Sequence, residues 1–228
     1  MRYTTLLFDL DHTLFDFDAS EDAAFADTFA RAGIVNPNGH RRVFGEINAA
    51  LWLRVERGEL TPNRVGTLRF EQLVERLGID ADPHVMADDY VTGLGANGDL
   101  FPGARDLLEE LAPHATLALV SNGIGAVARA KVARLDLDPY FEAIVISGEV
   151  GTAKPDAGIF DIVFDQLGNP DKATALMIGD SLSSDIAGGI NYGIDTCWYA
   201  PFAPETASSE ATYRVGSFEE IPSVVART

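Results

Sequence analysis

The chain has 228 residues, 46% of them hydrophobic and 23% charged, enough for a sizeable core in one domain plus an insertion or in two modest domains. Seventeen basic residues against 35 acidic ones leave a net charge of −18, which argues against nucleic-acid polymers and anionic membranes as partners. No segment reaches the roughly 18 to 20 consecutive apolar residues of a membrane span, and the sole cysteine, Cys197, can form neither an intrachain disulfide nor a cysteine-rich metal site.

The opening MRYTTLLFDLDH runs into acidic residues where a signal peptide would carry a small-residue cleavage site, so a cytoplasmic protein is expected. Within it, YTTLLF (3–8) predicts a buried strand that stops at Asp9 and Asp11. From there to FPGA (101–104) helical patterns follow one another. SEDAAFADTFARAG (20–33) opens on Ser20 as a cap, RRVFGEINAALWLRVERG (41–58) comes next, TPNRVGTLRFEQLVERLG (61–78) has Thr61 before Pro62 at a favourable first position, and a fourth helix runs from Pro83 to Leu94. These predict an all-helical insertion over about 16–98, inside a domain made of 1–15 and 99–228. Residues 41–76 hold seven arginines and five glutamates, read as solvated helix faces, one or two of which steer an anionic substrate.

Beyond the insertion, apolar runs at 115–120, 143–146, 174–178 and 195–199 predict four more strands. Helical patterns at 104–112, 125–136, 156–168 and 183–193 alternate with them, and FEEIPSVVAR (218–227) predicts a last short helix. This alternation predicts an α/β fold with a doubly wound parallel sheet. Cys197, in the last of these runs, reads as a small buried residue.

Ligands of such sheets sit outside the carboxyl ends of the strands, so the residues just after each run bear comparison. The first strand meets Asp9 and Asp11, with Thr13 close behind; the second ends at Ser121-Asn122-Gly123; the third precedes a loop bearing Lys154; the fourth leads to Asp180 and Asp185. Four carboxylates and a lysine at one end of a sheet demand a cation, and oxygen donors without clustered His or Cys select a hard one, Mg²⁺. A carboxylate beside Mg²⁺ and an ammonium suits phosphoryl transfer, where positioning and charge neutralisation do most of the catalysis. Asp11 is placed to protonate a leaving alkoxide and then to take a proton from water. The Ser-Asn-Gly turn offers a hydroxyl, an amide and free backbone N–H groups to an anion. Phe17, Asn48 and Trp52, and less so Phe15, are the candidates for a substrate wall, where an aromatic stacks on a base and an amide reads it.

These stretches resemble the four motifs of the haloacid dehalogenase superfamily of phosphotransferases: DLDHT (9–13), Ser121, Lys154 of a Lys-Pro pair, and GDSLSSD (179–185). The resemblance implies a Rossmann-like core whose helical cap is inserted after the first strand. It implies Asp9 as the nucleophile that forms an aspartyl-phosphate and as a metal ligand, and Asp11 as general acid/base that binds Mg²⁺ through its carbonyl. Asp180 becomes the side-chain metal ligand and Asp185 a further metal ligand or an anchor behind it; Ser121, Asn122 and Lys154 hold the phosphate, with Thr13 bracing the first loop at the phosphate site. DHTLFDFD (11–18), NAALW (48–52), RF (69–70), VISGEVGTAKPD (145–156) and GGINYGIDTCW (188–198) resemble more narrowly the noncanonical pyrimidine 5′-nucleotidases. His12 stands where the wider family often has glycine.

The expected activity is therefore a Mg²⁺-dependent phosphomonoesterase acting on a small phosphorylated metabolite, a nucleoside 5′-monophosphate favoured. Sugar-phosphate or phosphoglycolate phosphatase is the nearest alternative. A dehalogenase would attack carbon and need neither metal nor Asp11, a phosphomutase would keep the phosphoryl group, and a receiver-type phospho-aspartate switch would need neither the insertion nor a residue poised to activate water.

Overall fold

In the computed structural model, which describes residues 2–34, 38–204 and 206–226, the first apolar run forms strand β1 (Thr5–Phe8), buried throughout. A strand buried on both faces needs a helical layer on each side. Strands β2 (Thr116–Ser121), β3 (Ala143–Ile146), β4 (Ala175–Gly179), β5 (Asp195–Tyr199) and β6 (Tyr213–Val215) join it in one parallel sheet of order β3-β2-β1-β4-β5-β6. Helices α1 (Phe17–Arg31), α2 (Asn38–Glu56), α3 (Pro62–Leu77), α4 (Pro83–Ala96) and α5 (Ala104–Leu111) separate β1 from β2. After β2 come α6 (Gly125–Arg134), α7 (Ser147–Val150), α8 (Ala157–Gln166), a π-helical turn (Leu182–Ile186) that runs into α9 (Ala187–Tyr192), and α10 (Ile221–Ala226).

Alternation sorts the strand residues between two layers. Leu6, Phe8, Leu119 and Ile178 pack with Leu108 of α5, Val132 of α6 and Val224 of α10. Leu7, Val120 and Met177 meet Phe160 and Val163 of α8 and Tyr192 of α9 on the opposite face. Helices α1 to α4 share a separate apolar cluster built on Phe25, Phe29, Phe44, Phe70 and Tyr90. Leaving β1, the chain builds β2 and β3 on one side and then crosses to β4 on the other, so the sheet's switch point lies beside β1. Phe8 is in register with both Leu119 and Ile178, which brings Asp9, Ser121 and Asp180 to the same end.

Several boundaries differ from the sequence-based expectation. Strand β6 was not expected, because three residues with an arginine in the middle carry no periodic signal; pairing with Cys197 to Tyr199 makes it a strand. Ser20 does not cap α1. Asp16 does, accepting from the Ala19 N–H at 3.1 Å, while Ser20 is buried in the helix and donates to the Leu94 carbonyl of α4 at 3.0 Å. Pro62 opens α3 as expected, although the Thr61 hydroxyl makes no capping bond. The expected helix over 183–193 begins as the π-helical turn, and the tail starts as a 3-10 turn (Phe218–Glu220) before α10, with Arg227 outside the described residues. Cys197 is fully buried, and burial pushes its thiol up to about 12, as suits a packing residue. Among the described residues no helix is long and apolar enough to cross a membrane.

Candidate active site

Asp9 is the first residue past β1 and is nearly buried. Lys154 reaches it from the loop between α7 and α8: Nζ donates to Asp9 Oδ1 at 2.6 Å and to the Val120 carbonyl at 2.5 Å, and pairs with Asp185 Oδ1 at 2.6 Å. Burial by itself would depress this lysine; the Asp185 and Asp9 carboxylates outweigh it and hold the ammonium protonated, above its ordinary range. Asp185 is fixed from its other oxygen, which accepts from the Ser181 N–H at 2.9 Å. Its close approach to the end of β4 requires Gly179, since a Cβ there would lie 2.2 Å from Asp185 Oδ2. Asp180 accepts from the Thr13 hydroxyl at 3.2 Å, and Thr13 Oγ1 accepts from the Asp180 N–H at 3.1 Å, so Thr13 braces the first loop against the fourth.

Asp9, Asp180 and Asp185 each offer an oxygen within a group spanning 4.8 Å. Desolvation, reinforced by neighbouring carboxylates, raises all three: Asp9 to about 7, Asp180 to about 6, and Asp185 in the same direction. Three carboxylates share one ammonium, and among the described residues Asp185 Oδ1 has no polar partner beyond Lys154. An all-oxygen donor set short of positive charge fits a hard divalent cation.

Asp11 stands outside that cluster. Its carboxylate pairs with Lys131 of α6 at 2.6 Å. Lys131 is wholly buried, with Nζ 4.3 Å from the Phe15 ring centre and 4.8 Å from that of Phe17. Sequence reasoning passed over this lysine because GAVARAKVARLD reads as an ordinary amphipathic helix. Between the two aspartates' loop and α1, His12 adopts the left-handed conformation, φ 66°, which accounts for a position that glycine fills readily.

The Ser-Asn-Gly turn is used differently from expectation. Asn122 gives both ends of its amide to the backbone of Lys154, donating to its carbonyl at 2.7 Å and accepting from its N–H at 2.8 Å. The Gly123 N–H, expected to be free for an anion, donates to Ser147 Oγ at 3.0 Å. Ser121 Oγ is buried and has no hydrogen-bond partner among the described residues.

Above these residues lies a cavity of about 300 Å³, floored by Asp9, Asp11, Asp180 and Asp185. Its roof comes from the helical block: Phe17 on α1, Asn48, Trp52 and Glu56 on α2, and Arg69 on α3. Phe17, Asn48 and Trp52 thus reach the site, whereas Phe15 is buried in the sheet core and Thr13, Ser121 and Lys154 back the site without lining the cavity. Two roof residues were missed. Glu56 follows Trp52 by one helical turn, a signal present in the sequence, and its Oε1 accepts from Ser183 Oγ at 3.1 Å. Arg69 is no solvated arginine; it is 1% exposed, enclosed by the same apolar cluster that holds Phe44 and Tyr90.

Several known proteins resemble this chain over nearly its whole length. The pyrimidine 5′-nucleotidase PynA of Streptococcus pneumoniae is 37% identical over 97% of this chain and 94% of its own. The pyrimidine 5′-nucleotidase YjjG of Escherichia coli is 32% identical over the full length of both. The crystal structure of the HAD-hydrolase YfnB of Bacillus subtilis, bound to magnesium, superposes with a TM-score of 0.91 at 32% identity over all of both chains. The model of the haloacid dehalogenase-like hydrolases matches residues 3–193, and the chain belongs to that family.

Proposed function

We propose that the protein is a Mg²⁺-dependent phosphomonoesterase that acts through an aspartyl-phosphate on nucleoside 5′-monophosphates, pyrimidine ones favoured, with the helices of 16–98 serving as a cap over the domain of 1–15 and 99–228. The observation that carries this reading is a division of labour between two neighbouring carboxylates. Asp9 is held by Lys154 inside the acidic cluster, and Asp11 is held by Lys131 outside it, on the same cavity floor.

In this reading an Asp9 oxygen attacks phosphorus, the ester P–O bond breaks, and Asp11 delivers its proton to the departing alkoxide. Asp11, now ionised, takes a proton from water as that water attacks the aspartyl-phosphate, freeing phosphate and restoring Asp9. Lys154 offsets charge on Asp9 and the phosphoryl oxygens, the unpartnered Ser121 hydroxyl serves as a phosphate donor, and Asn122 supports the phosphate site chiefly through the Lys154 backbone it braces. Mg²⁺, held by Asp9, Asp180, Asp185 and the Asp11 carbonyl, would neutralise phosphate charge and so permit one anion to attack another.

The nucleotide preference rests on the likeness to two pyrimidine 5′-nucleotidases, PynA and YjjG, which covers the cap as well as the core. A cavity of about 300 Å³ suits a small metabolite and no polymer. Phosphate release from nucleoside monophosphates, sugar phosphates and phosphoglycolate, each with Mg²⁺ and with chelator, tests the proposal. Mg²⁺-dependent release led by pyrimidine monophosphates, lost in folded Asp9→Asn, is expected. Faster release from the sugar phosphates would reassign the substrate class, and activity retained by Asp9→Asn would remove Asp9 as nucleophile.

A further inference from the structure

The roof of the cavity holds polar groups that the chemistry at its floor does not use. Glu21 of α1 is their hub: it accepts from Arg41 Nη2 at 3.1 Å, from the Tyr90 hydroxyl at 3.0 Å and from Asn48 Nδ2 at 3.4 Å. A carboxylate only accepts, so the amide of Asn48 must turn its NH₂ end toward Glu21. Its Oδ1 is left buried and without a partner among the described residues, on a residue that lines the cavity.

Arg69, also on the cavity wall, lies beside this hub. Its Nε donates to the Val65 carbonyl at 3.2 Å, and its guanidinium carbon is 4.8 Å from the Tyr90 ring centre. Among the described residues no carboxylate lies within 4.0 Å of it; Glu21 acts on it from farther off, and the Tyr90 hydroxyl is within its hydrogen-bonding reach. A guanidinium carries five N–H donors. One that is 99% enclosed without an ion-pair partner is costly unless something in the cavity accepts from it.

The roof therefore presents, beyond the N–H groups that Val65 and Tyr90 engage, the remaining donors of Arg69 on the cavity wall and one spare acceptor on Asn48. The matching ligand edge has a carbonyl next to an N–H. Resting on the nucleotidase reading above, we infer that Arg69 and Asn48 form a base-reading subsite for the imide edge of a uracil-type base, Arg69 donating to a ring carbonyl and Asn48 Oδ1 accepting from the N3–H. Adenine has no carbonyl to offer and would leave the guanidinium unpaired, the kind of mismatch a built polar site rejects most strongly.

Specificity constants for uridine 5′-monophosphate, its N3-methyl derivative and ribose 5-phosphate, on the wild-type protein, Asn48→Ala and Arg69→Gln, test the subsite. Wild type is expected to lose about tenfold or more on N3-methylation, which blocks donation to Asn48, and Asn48→Ala to lose that discrimination. In Arg69→Gln the ratio of the constants for uridine monophosphate and ribose 5-phosphate falls by about tenfold or more. Because Arg69 is buried and its replacement can unfold the helical block, the N3-methyl comparison on wild type and on the half-buried Asn48 stands without it. Equal turnover of the methylated and unmethylated nucleotides by wild type overturns the subsite. So does a preference for uridine monophosphate that survives both substitutions, and that outcome leaves the nucleotidase reading intact. A wild type that prefers ribose 5-phosphate overturns the nucleotidase reading itself, and the subsite with it.

Discussion

Lys131 joins packing to chemistry in one side chain. A lysine is almost never fully buried unless paired, and among the described residues this one pairs with one carboxylate, Asp11, at 2.6 Å, with two phenylalanine rings beside its ammonium. In the proposed mechanism its effect on catalysis runs through Asp11, which makes it a positioning residue. Lys131→Met preserves the stem's packing and releases the Asp11 carboxylate. The expected result is a kcat lowered by about ten- to a hundredfold with KM nearly unchanged, as befits loss of alignment in a general acid worth about 10²–10⁴. Steady-state kinetics on a nucleoside monophosphate checks this, with Lys131→Arg recovering part of the loss. A rise in KM alone would place Lys131 against substrate instead. Gly179 shows the opposite constraint, a position where the smallest side chain would collide with the Asp185 carboxylate.

At the scale of the element, α2 presents Asn48, Trp52 and Glu56 one turn apart along one face, and that face forms the cavity roof. The same helix buries Phe44, Ile47 and Leu51 in the cluster shared with α1, α3 and α4, so its neighbours hold the roof face in place. Trp52 is only partly buried and lies at the margin of that cluster. Its truncation should therefore cost binding more than stability. For Trp52→Ala, KM for nucleoside monophosphates is expected to rise by about tenfold, with a smaller rise for a minimal aryl phosphate that cannot stack in the same way. Equal effects on both substrates would make Trp52 a packing residue. The contact between Glu56 and Ser183 joins this helix to the π-helical turn that carries Asp185, linking roof and floor through one hydrogen bond.

Across the whole molecule, the acidic cluster makes stability depend on pH and on cation. In the metal-free protein Asp9 and Asp180 are raised from an ordinary 3.8 to about 7 and about 6. Between pH 4 and 7 the folded state accordingly binds more protons than the unfolded chain, and stability falls as pH rises through that window. The loss amounts to about a few kcal/mol, or a fall in Tm of roughly 5 °C or more for a chain of this size. The net charge of −18 adds repulsion in the same direction. Mg²⁺ held as proposed by the ionised carboxylates should raise Tm more at pH 8 than at pH 5. Thermal unfolding with Mg²⁺ and with chelator at both pH values measures this directly. A flat metal-free profile would mean that the three carboxylates do not share a desolvated site.

The family, the parallel sheet and most of the acidic floor were legible in the sequence, because buried parallel strands are continuous apolar runs and a charge at the end of such a run stands out. Asp9, Thr13, Asp180 and Asp185 each follow a strand within six residues, so local chain direction carries them to one end of the sheet, whereas Lys154 arrives eight residues past β3, after α7. What only the tertiary structure decided are the groups whose partners are distant in sequence. Lys131 meets Asp11 across 120 residues, Asn122 braces Lys154 across 32, and Ser20 ties α1 to α4 across 74. Arg69 is the sharpest instance: among seven arginines in one stretch nothing local marks the buried one, because burial depends on which helix face the neighbouring helices cover. The sequence by itself determined which chemistry is available at the strand ends; the packing of α1 to α4 decided which side chains face it.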